Sequence, residues 1–393
     1  MTVAHSRSTV EHLARPGTRG IGLDVFAVED RSAQVLWSDL PACRVTVTCR
    51  RDDRVVWQRT LDHLGGPGAV ELTELLPESR HEVELHSSDE HHARRDLRTL
   101  ATPPGEELFR FATLHDLHLG REEHRSMAGH PHRRRPFDMA DDALADALAW
   151  GAELVVLKGD VCDESYERFW DQAAELLRPV PVDVVMLPGN HDTGSLRRVE
   201  PEVAAAARGL RMIRDVEHLD IPGLRVVMME SGVPGNGWGH VARHADQVAA
   251  LAADGRGDGR ATFVATHHQA QRFRVPYHWP HGIPAPDAKR FARALHAADP
   301  AAMISSGHTH RCRLRGIGGV TWSEVAATNH FPAVWAGYRV FAGGLMQVVR
   351  RTAAPEALAW SEHGRSWLRG VWALWSTGSI QDRCFTRAWD RSP

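Results

Sequence analysis

Val184-Val185-Met186-Leu187-Pro188-Gly189-Asn190-His191-Asp192 is the stretch from which the fold of this chain can be read. Four apolar residues of strand length run into a proline-glycine turn, and the turn delivers an amide, an imidazole and a carboxylate in succession. A strand that ends this way places polar side chains beyond a sheet edge, where open α/β sheets bind their ligands. The same triplet is also ordinary turn chemistry, so its meaning depends on what the other strand ends carry.

Four more strand-like runs end in the same manner. Phe111-Ala112-Thr113-Leu114 leads into His115-Asp116-Leu117-His118, and Leu154-Val155-Val156-Leu157 leads into Lys158-Gly159-Asp160-Val161-Cys162-Asp163. Phe263-Val264-Ala265-Thr266 leads into His267-His268, and Met303-Ile304-Ser305 is followed by Gly307-His308-Thr309-His310. Helical stretches, most of them rich in alanine, lie between them at 138–150, 167–177, 199–207, 241–253 and 285–296. Strands alternating with helices predict an α/β fold with a largely parallel or mixed sheet covered by helices. Any one of these turns is a weak signal, but five in order are specific, because ligands at neighbouring strand ends converge on one crevice as a multi-metal site requires.

Upstream the texture differs. After an arm over residues 1–20, short alternating runs at 24–28, 33–37, 44–49, 54–60, 69–72, 82–86 and 96–100 predict a small antiparallel β-sandwich over 21–104, closed by the linker Pro103-Pro104-Gly105. The catalytic part is expected over 105–351, where runs at 320–324, 334–341 and 345–349 read as a closing antiparallel set. The tail, 352–393, holds Trp360, Trp367, Trp372, Trp375 and Trp389, an aromatic stripe expected to dock on the main domain.

Composition narrows the function. A formal net charge of −3 offers no general attraction to nucleic acid or to an anionic membrane, so a phosphate group must be met by a local site. Apolar runs are of strand length and the first residues lack an apolar signal segment, so a cytoplasmic protein is expected. Five scattered cysteines form no CxxC pair and predict reduced thiols. Oxygen and imidazole donors suit divalent Mn, Fe, Zn or Co.

In the order Asp-x-His, Gly-Asp, Gly-Asn-His-Asp, His and Gly-His-x-His, the sequence resembles the calcineurin-like metallophosphoesterases over about 109–351. The resemblance implies an αββα sandwich around two divalent metal ions. Asp116, His118 and His310 would hold one ion; Asn190, His267 and His308 would hold the other, with Asp160 bridging. The choice of His267 over His268 follows from the family. His191 would face the phosphoryl group, with Asp192 as its orienting neighbour, and a hydroxide shared by the two ions would attack phosphorus. Residues 71–85, with Trp37 upstream, resemble a fibronectin type III or immunoglobulin-like domain, although His81 stands where the corner tyrosine would be. Asp163 replaces the tyrosine of the purple acid phosphatases, which argues against a tyrosinate-iron centre, and His115 stands where many relatives have Ser or Thr.

The expected activity is hydrolysis of a small-molecule phosphoester, a diester before a monoester, with cyclic nucleotides or glycerophosphodiesters as candidate substrates. A phosphomonoesterase and a non-catalytic metal-binding scaffold are the alternatives. Two loops could shape the substrate: the basic cluster at 130–135, and 273–284 with Tyr277 and Trp279. Nothing in the sequence names an oligomeric state.

Overall fold

The computed structural model describes residues 22–88, 91–121, 135–194, 198–233, 235, 237–273 and 280–389. The arm at 1–20, the basic cluster at 130–134, and Tyr277 and Trp279 lie outside these residues.

The N-terminal part is an antiparallel all-β region of two sheets. One has the order β1 (Leu23–Val28), β2 (Ala33–Leu40), β5 (Gly66–Leu72). The other has the order β4 (Arg54–His63), β3 (Cys43–Arg51), β6 (Arg80–Ser87), β7 (His92–Arg98). Alternation drives the arrangement: Val45, Val47 and Cys49 of β3 and Val83 and Leu85 of β6 point into a core shared with Val35 and Trp37 of β2. His81 is buried with Nδ1 3.2 Å from the Ser79 carbonyl.

Two six-stranded mixed sheets follow. The first has β10 (Asp183–Leu187), β9 (Leu154–Lys158) and β8 (Glu107–Leu114) in parallel, then β17 (Val334–Phe341), β18 (Gly344–Arg351) and β19 (Cys384–Ala388) in antiparallel pairings. The second runs β11 (Val216–Ile221), β12 (Leu224–Met229), β13 (Ala261–Ala265), β14 (Met303–Ser306), β16 (Val320–Glu324), β15 (Arg313–Ile317), with β12, β13, β14 and β16 parallel.

The sheets pack face to face. Phe111 of β8, Phe263 of β13 and Tyr338 of β17 meet ring to ring between them, with centroids 4.7–5.1 Å apart. Helices α1 (Arg135–Ala149) and α2 (Glu167–Leu177) cover the first sheet, the short α3 (Asn190–Thr193) and α4 (Pro201–Ala206) follow β10, and α5 (Ala245–Gly257) and α6 (Ala285–Ala298) cover the second. Strands buried on both faces explain why β9 and β13 read as unbroken apolar runs.

The expected closing antiparallel set divides between the two sheets. β16 joins the second sheet parallel to β14, whereas β17 and β18 extend the first. The five chemistry-bearing strands divide too, with β8, β9 and β10 in one sheet and β13 and β14 in the other. Their carboxyl ends nevertheless meet, because parallel strands within each sheet finish on the same side.

The segment after β18 folds as α7 (Pro355–Glu362), a 3-10 helix (His363–Gly370), α8 (Val371–Thr377) and α9 (Ile380–Arg383), and returns as β19. A buried ionic cluster joins the all-β region to the first sheet. Arg339 Nη1 lies 3.2 Å from Glu29 and 2.5 Å from Asp30, and Arg350 Nη1 lies 2.8 Å from Glu29. The Gln34 carboxamide pairs with both backbone groups of Arg351, as a strand would. All five cysteines are free thiols. Among the described residues, no helix is long and apolar enough to cross a membrane.

Candidate metal centre

The turns that end these strands are tight. Gly159 has φ +94°, and a Cβ there would stand 2.5 Å from Nδ1 of His267. Gly189 leaves the space that the Asp160 carboxylate fills. Non-glycine residues are also held left-handed here: Asp116, His118, Asp160, His308 and His310 have φ between 49° and 66°. Such conformations are uncommon for side chains of this kind and cluster at functional sites.

The seven residues expected to hold metal come together. Ligand atoms of Asp116, His118 and His310 lie within 4.8 Å of one another, as do those of Asp116, Asp160 and His267, and of His267, His268 and His308. Asn190 joins them, with its Oδ1 3.1 Å from His267 Nε2. His268, the neighbour not selected, is fully buried with Nδ1 on the Ser231 hydroxyl.

Hydrogen bonds at the outer nitrogens fix the inner ones. His267 Nδ1–H donates to the Lys158 carbonyl at 2.8 Å, so in the neutral ring Nε2 is bare, and it faces Asp160 Oδ2 at 3.4 Å. His330 Nδ1–H donates to the Phe331 carbonyl; its Nε2 therefore accepts from His310 Nδ1–H at 2.6 Å, and His310 Nε2 faces Asp116 Oδ1 at 3.4 Å. His118 Nδ1 rests on Asp163 at 3.3 Å, with Nε2 3.7 Å from Asp160 Oδ2. His308 Nε2 lies 3.1 Å from the His281 carbonyl, which leaves Nδ1.

The other oxygens are already spoken for. Asp116 Oδ2 accepts from the His308 amide at 3.0 Å and meets the His115 ring at 2.6 Å; Asp160 Oδ1 accepts the His191 amide at 2.8 Å. His115 thus holds the Asp116 carboxylate on its outer side.

The result is a cluster in which lone pairs face lone pairs. Asp116 Oδ1 and His118 Nε2 are buried without a hydrogen-bond partner among the described residues. Acceptors 3.4–3.7 Å apart are reconciled by a cation between them. The donor set therefore fits divalent metal, and Asp160 Oδ2, facing both His118 and His267, fits the bridging place. Burial keeps His118 at about 4 and His308 at about 3, the neutral form a ligand needs. Burial opposes charge on His267 as well, yet the Asp160 carboxylate raises it to about 9, so a cation at Nε2 would have to displace a proton.

Asp192 is turned away from the chemistry. Its carboxylate accepts the amides of Gly189, Val161 and Cys162 at 2.8–3.2 Å, which ties the short helix α3 (Asn190–Thr193) to the β9 turn. The carboxylate that meets the His191 ring is that of Asp163, at 2.7 Å. Residues outside the expected set thus shape the centre, Asp163, His330 and Lys158 among them. Lys158 is fully buried, donates to the Ser305 hydroxyl at 2.8 Å, and is pushed down to about 7 by burial. A signal existed for His330, since Asn329-His330 follows β16 as Asn190-His191 follows β10.

A cavity of about 530 Å³ opens over this centre, and His118, Asp160, Asn190, His191, His308 and His310 line its base. A family model described as calcineurin-like phosphoesterase matches residues 109–312. The chain belongs to this family of hydrolases acting on phosphoester bonds. It is similar to a probable cyclic nucleotide phosphodiesterase of Rhodococcus erythropolis (strain PR4 / NBRC 100887), with 26% identity over 204 residues, 48% of this chain and 62% of the relative. The match thus spans less than two thirds of that relative. Among solved structures it is similar to a dimetal phosphatase from Danio rerio, at 15% identity, 63% coverage of this chain, 97% of the other and a TM-score of 0.47. It is also similar to a purple acid phosphatase from yellow lupin (Lupinus luteus) seeds, at 14% identity, 84% and 72% coverage and a TM-score of 0.46.

Proposed function

We propose that this protein is a dinuclear-metal-dependent phosphodiesterase. The observation that carries the reading is the set of facing acceptors: bare imidazole nitrogens aimed at carboxylate oxygens, each locked by a hydrogen bond on its far side. Asp116, His118 and His310 would hold one ion, Asn190, His267 and His308 the other, and Asp160 both. The bound ions supply Lewis acidity and an activated water.

The chain's own part falls to His191. Its Nδ1 is paired with Asp163, and its ring lines the cavity. Burial disfavours its charged form, but the Asp160 and Asp163 carboxylates outweigh burial and raise its pKa above the ordinary value. A proton is thereby held at Nε2 for the leaving alkoxide as the P–O bond breaks, a role worth about 10²–10⁴-fold. The diester preference is supported by the Rhodococcus relative. Arg121 and Arg135 line the same cavity and favour the second reading, a monoesterase meeting a dianion.

Hydrolysis of bis(p-nitrophenyl) phosphate and p-nitrophenyl phosphate with added Mn²⁺ tests both. The expected result is faster cleavage of the diester, abolished in Asp160→Ala. Equal rates for wild type and Asp160→Ala on both substrates would overturn the catalytic reading in favour of a scaffold. Which ions are native, and whether cyclic nucleotides or glycerophosphodiesters are the substrates, would be read by a screen on the same metal-loaded sample.

A further inference from the structure

One wall of the cavity is aromatic, and most of that wall is built by residues beyond the matched family region. We propose that residues 329–372 form a subsite for a planar aromatic ring on the alcohol portion of the ester; this rests on the phosphoesterase reading. Trp360, Trp367 and Trp372 line the cavity together with Phe331. The His330 ring lies 5.5 Å from Trp367 and 5.8 Å from Trp372, and the two tryptophans are 6.2 Å apart. The wall is anchored: Trp372 Nε1 donates to the Phe331 carbonyl at 3.2 Å, and Gly370, at φ +85°, turns the chain between Trp367 and Trp372.

Each flank is tied to a metal-binding histidine. On one side His330 holds His310, and on the other the His281 carbonyl holds His308 while Trp238 packs 4.5 Å from the His281 ring. A phosphoryl group at the base would therefore leave its substituent between tryptophan surfaces. Flat faces with little hydrogen-bonding capacity select a planar ring over glycerol, since ring faces stack and a polyol would lose its water. A polar handle lies next to this wall. Asn329 Oδ1, in a residue 7% exposed, lines the cavity and has no hydrogen-bond partner among the described residues. It is placed to accept an N–H of the ring.

Phosphonates test the wall without turnover. Calorimetry on the Mn²⁺-loaded protein is expected to show phenylphosphonate binding about tenfold more tightly than methylphosphonate, and 4-aminophenylphosphonate more tightly still. Trp367→Ala should remove most of the phenyl advantage at unchanged metal content, and Trp367→Phe should restore it. A phenyl-to-methyl ratio near one in wild type, or octylphosphonate binding more tightly than phenylphosphonate, would overturn the proposal. If the protein cleaves no ester, the phosphodiesterase reading fails, yet the phosphonate ratio still reports on the wall; an active enzyme with a ratio near one sinks the wall alone.

Discussion

Asp163 Oδ1 lies 2.7 Å from Nδ1 of His191. The same oxygen is 3.3 Å from Nδ1 of His118, so one carboxylate orients both an expected metal ligand and the expected proton donor. Asp163→Asn should reduce turnover by about 10–100-fold, the usual loss when such an outer partner is removed. Steady-state kinetics with metal analysis would check this; unchanged kcat would show that His191 is held by other contacts.

Asn190 and His191 are adjacent in sequence but are expected to differ in task. Asn190→Ala should lower metal content, whereas His191→Ala should keep both ions and slow turnover by about 10²–10⁴-fold. Metal analysis of the purified variants separates the two; loss of ions from His191→Ala would count against the division.

His330→Phe preserves the ring that packs on Trp367 and Trp372 but removes the acceptor for His310 Nδ1–H. Metal titration should show affinity weakened by about 10–100-fold at one ion and little changed at the other. Equal weakening of both would indicate that the tautomer of His310 is fixed elsewhere.

The ionic cluster under the all-β region should make the two parts inseparable. Arg339→Met leaves Asp30 buried without its cation and Glu29 with Arg350 alone, at a cost of about 3–5 kcal/mol. Chemical unfolding would measure it. Deleting residues 1–104 should yield insoluble protein, and a soluble, active truncation would show the interface to be dispensable.

Asp142 supplies a pH dependence remote from the centre. Burial first, then the charges of Asp141, Asp146, Asp138 and Glu356, raise its pKa to about 6. The folded value exceeds the unfolded one, near 3.9, so its contribution to stability is present at low pH and lost as pH rises from about 4 to 6. Asp142→Asn should therefore stabilise the protein at pH 8, by no more than about 1 kcal/mol because the group is partly solvated, and have no effect at pH 3.5. Melting curves at the two pH values would decide it.

Much of the fold was legible because parallel strands buried on both faces are continuous apolar runs with polar turns, and because α2 and α6 carry a clear helical period. The sharing of strands between two sheets was not, since Val320–Glu324 has the same texture whether its partner is parallel or antiparallel. At the centre, the strand-end residues that converge could be named from the motif order and the family resemblance it carries. The partners that hold them could not: Asp163 reaches His191 across 28 positions and His330 reaches His310 across a strand pair, contacts that only the folded chain defines. The tail tryptophans read as a docking face, and three of them, Trp360, Trp367 and Trp372, also border the cavity.

The left-handed backbone at Asp116, His118, Asp160, His308 and His310 implies a conflict between endurance and reactivity. Each such residue costs of order 1 kcal/mol or more, a strain that only the folded centre carries. Starved of metal, the protein should be the weaker for possessing its own ligands. A lifeless His310→Gly variant should then outlast the wild type in chelator and fall behind it once ions are restored, the mark of a chain shaped for work at the expense of durability.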